Sequence, residues 1–207
     1  MDALYNVFLG FHIAGGFTAL FIGIIAYVTL KGSKYHKLAG RIYFGGMLLV
    51  IAGALLMNTI KPNTFLFYIA LFTLYLVYGG VRSTKNKNLQ PQLLDILFFI
   101  LGVIVAALMI LTKHIVLIVF GLLFILTLYG DLRIYLMIKK EREIPKNQWL
   151  MRHIGLISGS YIATSTAFLT VNFQEFEPFW LPWLLPSIIG VPLIFYFQKR
   201  ISEPKKK

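Results

Sequence analysis

Polar residues in this chain are confined to short breaks between long apolar runs. Seven runs can be drawn, at about 4–30, 38–60, 64–81, 93–112, 115–138, 149–171 and 179–197. A helix that crosses a bilayer needs about 20 apolar residues, within a range of about 17–25. The pattern therefore predicts seven transmembrane helices. The breaks carry the expected punctuation: Lys31-Gly32-Ser33-Lys34, Lys61-Pro62-Asn63, the polar stretch 83–91, the tight Lys113-His114, the charged stretch 139–148, and Glu175 to Pro178. Pro182, Pro186 and Pro192 predict a kinked or partly irregular seventh span.

Composition supports a membrane reading. Of 207 residues, 58% are hydrophobic and 14% are charged, against about 45–50% and about 25% in soluble domains. Such a chain is also too apolar for disorder. It has no cysteine, which excludes disulfides, iron–sulfur clusters and thiolate zinc sites. The first run is too long for a signal-peptide core, and Met1 to Tyr5 carry no positive charge, so the segment is expected to be retained.

A net charge of +12 would suggest nucleic acid if it were spread evenly. It is not. Eighteen of the 20 Lys and Arg fall at one set of span ends, and only Lys61 and Lys113 at the other. Positively charged loops face the cytoplasm, so the expected topology has the N-terminus outside and the C-terminus, with its charged tail at about 199–207, inside. The basic excess is then a sidedness signal. The expected partner is the lipid bilayer, not nucleic acid, and the expected location is a bacterial inner membrane.

Ionisable groups inside a membrane are costly, so each is a candidate for function. His36 and Arg41 open the second span, Asp131 and Arg133 lie near the end of the fifth, and Arg152 and His153 open the sixth. All fall toward the cytoplasmic side. His12 sits about 12 Å below the outer surface and about 10 Å above His153, by helical rise. The sixth span is the most polar: His153, Ser160 and Thr164 share one face, and Ser158 and Tyr161 an adjoining one. These residues read as the lining of a pocket, or as hydroxyls bonded to their own helix. His36 and His153 are the best-matched pair in depth for axial ligation of a b-type haem. With Asp131 they would instead suit a transition metal. For the arginines and Asp131 the plainer alternative is snorkelling and ion pairing at the interface.

The segments His12 to Gly16, His36-Lys37-Leu38-Ala39-Gly40-Arg41-Ile42-Tyr43 and Arg152-His153-Ile154 with Tyr161 to Ala167 resemble a prokaryotic predicted-membrane-protein family catalogued as domain of unknown function 2306. That resemblance implies a multi-span bacterial membrane protein and stresses His12, His36, Gly40, Arg41, Arg152 and His153. It implies no activity. Three functions stay open: a haem or metal protein in electron transfer or oxidase assembly, a metal-free transporter or small-molecule binding protein, and an intramembrane zinc hydrolase. Nucleotide-binding and serine-hydrolase motifs are absent from the sequence.

Overall fold

A computed structural model describes residues 1–173, 175 and 177–202. Among the described residues there are seven helices and no strand: α1 (Asp2–Val28), α2 (Lys34–Ile60), α3 (Thr64–Lys85), α4 (Leu93–Leu111), α5 (Ile115–Lys139), α6 (Gln148–Asn172) and α7 (Leu181–Ser202). All seven are long and apolar enough to cross a membrane. Of the expected tail, Lys199 and Arg200 belong to the last turn of α7, while residues 203–207 lie outside the described residues.

Capping shifts some boundaries away from the hydropathy pattern. The Ser33 side chain accepts the His36 backbone N–H at 3.2 Å, so α2 begins at Lys34 rather than at the first apolar residue. An N-cap of this kind satisfies a donor that has no partner inside the helix. At its other end α3 runs on to Lys85, with Arg82 and Lys85 in the last turn, where positive charge suits the helix dipole. The seventh span is a continuous helix despite Pro186 and Pro192 in its interior. Pro182 falls in its first turn, where a missing N–H costs no helical bond.

Burial along α1 is inverted relative to a soluble protein. The residues α1 buries are Gly15, Ala19 and Gly23, while Phe11, Phe17 and Phe21 are 48–59% exposed. Small side chains face the neighbouring helices and large ones face outward, as lipid permits and water would penalise. Glycine makes the closest approach possible: a Cβ on Gly15 would fall 2.7 Å from the Gly46 carbonyl oxygen of α2.

Helices α1, α2, α3 and α6 form a closed ring, with α1 packed on α2 and α6, and α3 packed on α2 and α6. Their core gathers Ala19, Tyr43, Met47, Ile51 and Val77. A second core joins α3, α4, α5 and one residue of α6 through Phe72, Tyr75, Met109, Phe120, Phe124 and Leu156. Helices α3 and α6 therefore form a wall with a different core on each side. Helix α7 packs on α6.

Candidate functional site

Three of the four histidines are held in the same way. Through Nδ1, His12 bonds the Val50 carbonyl of α2 at 2.8 Å, His36 the Ala26 carbonyl of α1 at 3.0 Å, and His153 the Gly80 carbonyl of α3 at 2.9 Å. A carbonyl oxygen can only accept, so each Nδ1 carries the proton. In the neutral imidazole, Nε2 is then left with a free lone pair. Metal-ligating histidines are oriented by bonds of this kind. The fourth, His114, packs against the Phe65 ring with centroids 5.0 Å apart.

Two of these rings are brought to one level. Helices α2 and α6 run parallel across the ring, and their facing side chains are in register. Tyr43 Oη meets Ser160 Oγ at 2.8 Å, and Thr164 Oγ1 meets Met47 Sδ at 3.2 Å, each pair being 117 residues apart in sequence. His36 and His153 are separated by the same 117 residues, seven positions or about two turns before Tyr43 and Ser160. One turn beyond His36 on α2 lies Gly40, where a Cβ would meet nothing within 4 Å. No other helix is packed against α2 at that point.

His12 does not join them. Its backbone and Cβ lie against Gly53, and its ring bonds Val50. Val50 is 14 residues beyond His36, or about 21 Å along the axis. The expected offset of about 10 Å is corrected by the α1–α2 packing, which runs nearly the whole length of both helices and carries His12 toward the opposite end.

Asp131 does not join them either. Arg152 grips both of its carboxylate oxygens, Nε to Oδ1 at 2.6 Å and Nη2 to Oδ2 at 2.7 Å, and Tyr75 Oη donates to Oδ2 at 2.6 Å. Arg152 Nη1 then reaches the Gly79 carbonyl at 2.6 Å and Ser83 Oγ at 2.7 Å. Among the described residues no group of three His, Asp or Glu could hold a metal ion. The expected set His36, His153 and Asp131 is therefore not assembled, because the guanidinium occupies the carboxylate. Arg152 is a partner of Asp131, and Arg41 is exposed on α2.

The hydroxyls of α6 stitch helices together. Ser160 Oγ donates to the Ile157 carbonyl at 2.7 Å and so accepts from Tyr43. Tyr161 Oη donates to the Leu20 carbonyl of α1 at 3.2 Å, Thr164 also bonds the Ser160 carbonyl at 3.0 Å, and Ser158 lies beside the Tyr27 hydroxyl.

A second charged group went unread in the sequence. Asp95 accepts from Tyr78 Oη at 2.7 Å and from Arg82 Nε and Nη2 at 3.0 and 3.1 Å. It also accepts the Gln92 backbone N–H at 2.9 Å, capping α4. The available signal was the stripe Tyr75, Tyr78 and Arg82, spaced i, i+3, i+7 on α3. Both Tyr–Asp–Arg groups line a cleft of about 260 Å³ between α3, α4, α5 and the start of α6.

A scan against family models returns no match for this chain, and searches of curated proteins and of solved structures return none. The resemblance to the domain of unknown function 2306 therefore rests on the sequence segments at His12, His36, Arg152-His153 and Tyr161 to Ala167 alone.

Proposed function

We propose that the ring of α1, α2, α3 and α6 holds a b-type haem between His36 and His153 and serves in membrane electron transfer. One observation carries this reading: two imidazoles in register on facing helices, each with Nδ1 committed to a carbonyl and Nε2 left to ligate. The donor set favours haem over a bare ion. Zinc sites use three or four protein ligands, whereas a haem would bring ring nitrogens of its own and need only His36 and His153 from the protein. When bound, haem supplies one-electron chemistry. The chain's part is to fix the ring planes through Ala26 and Gly80. The proposal includes the topology: N-terminus outside, and the histidine pair near the cytoplasmic face of a bacterial inner membrane, by the distribution of Lys and Arg.

The test is a visible spectrum with iron analysis on protein purified in mild detergent from haem-replete cells. One iron per chain and a Soret band are expected. His36→Ala and His153→Ala each remove the band, and His12→Ala keeps it. Colourless, iron-free protein overturns the reading.

A further inference from the structure

The cleft on the other side of the α3–α6 wall has a chemistry of its own. Its polar end carries two arginines and two aspartates, each paired, so it is neutral overall. A charged ligand would have to break a pair whose members are only 14–22% exposed, and an unpaired buried charge is strongly unfavourable. A neutral ligand can use what the pairs leave over. Arg82 commits Nε and Nη2 to Asp95, which leaves its Nη1 amino group for an acceptor. Asp95 already accepts four bonds and Asp131 three, so of the two carboxylates only Asp131 keeps acceptor capacity. The two Tyr–Asp groups hang from Tyr75 and Tyr78, neighbours on one helix face with Cβ atoms about 5–6 Å apart. Apart from Ser83 and Asn86 the rest of the lining is largely apolar, with Phe98 stacked on Tyr78 at 4.0 Å and with Phe99, Leu132 and Tyr135. Leu132 and Tyr135 are 38% and 40% exposed on the outward side of α5, so the mouth opens where a lipid tail would lie.

We infer that this cleft binds the head ring of a membrane quinone or quinol, its oxygen facing the Arg82 Nη1 amino group and its ring lying among Phe98, Phe99 and Tyr135. The occupant is argued from the cleft alone; only its pairing with the histidines rests on the haem reading. That pairing has a short physical route. Arg152 and His153 are consecutive on α6, and they bond the consecutive carbonyls Gly79 and Gly80 of α3. One residue faces the cleft and the next faces the histidine pair.

The experiment is photolabelling of the detergent-purified full chain with an azido derivative of decylubiquinone, mapped by mass spectrometry. Saturable labelling of Tyr78, Phe98 or Tyr135 is expected, competed by decylubiquinone but not by decanol. Leu132→Trp, which fills the cleft without touching either ion pair, should cut labelling at least tenfold. Leu126→Trp, on the lipid side of the same helix, should leave it unchanged. Labelling spread over outward-facing residues, equal competition by decanol, or full labelling of Leu132→Trp would each overturn the inference. The two readings fail separately: labelling at the cleft of a haem-free protein sinks only the haem, and haem-loaded protein without saturable labelling sinks only the quinone. His36→Ala is expected to lose the Soret band and keep the label.

Discussion

The two sides of the α3–α6 wall handle polar groups in opposite ways. On the α4–α5 side the charges are closed on one another: Arg152 and Arg82 each hold a carboxylate through two nitrogens, and a tyrosine adds a third bond. On the α1–α2 side the groups are neutral and half satisfied, since each histidine bonds a carbonyl through one nitrogen only. A membrane interior tolerates the first because the charges cancel, and the second because imidazole need not be charged. The difference separates polar groups the fold depends on from polar groups it does not. Cutting the closed network should damage the fold, while cutting the open one should remove an activity and leave the fold standing.

The largest effect should come from Asp131→Ala, which strands Arg152 with 17% of its side chain exposed. Loss of one partner of a buried pair costs about 3–5 kcal/mol, to be read from reversible unfolding in detergent–SDS mixtures. The double variant Asp131→Leu with Arg152→Met should regain most of that loss; if it stays as unstable as the single variant, the pair is not self-contained. Next comes Gly23→Ala. An added Cβ there would run into the Tyr161 ring, and overpacking of this kind costs about 1–3 kcal/mol. Gly10→Ala meets nothing within 4 Å and should instead gain about 0.5–1 kcal/mol from helix propensity; equal effects at the two glycines would refute the inverted packing of α1. Smaller still is Tyr43→Phe, which removes the bond to Ser160 at 2.8 Å. Ser160 keeps its own bond to Ile157, so about 1 kcal/mol is expected. His153→Ala should cost about as little in unfolding, since it too forfeits one hydrogen bond, yet lose the Soret band altogether. If His153→Ala unfolds the protein as badly as Asp131→Ala, the contrast between the two sides collapses.

The seven helices could be read from hydropathy because each apolar run is set by bilayer thickness, a length scale the sequence carries directly. Their ends were harder. A serine at position 33 outweighs four polar residues in setting where α2 begins, since capping acts locally and hydropathy is an average. The level match of His36 and His153 was visible because both are counted from the same side. His12 was misplaced because its depth was counted from the opposite side, and the offset between stacked helices is a tertiary quantity. Pairing of Asp131 with an arginine was foreseen as the plainer alternative, though not which arginine. Asp95 escaped notice because an acid in the first turn of a helix already has a sufficient local reason to be there.

The adjacent bonds from Arg152 and His153 to Gly79 and Gly80 also constrain how this chain can vary in length. Each added residue turns a helix by about 100°. A single insertion between 153 and 160 in α6 would leave the first two residues seated on α3 and swing Ser160, Tyr161 and Thr164 away from α1 and α2. An insertion before 152 would be absorbed by the stretch 140–147, which has no helix to keep in phase. Length changes should therefore be accepted up to Arg152 and refused for the three turns after it.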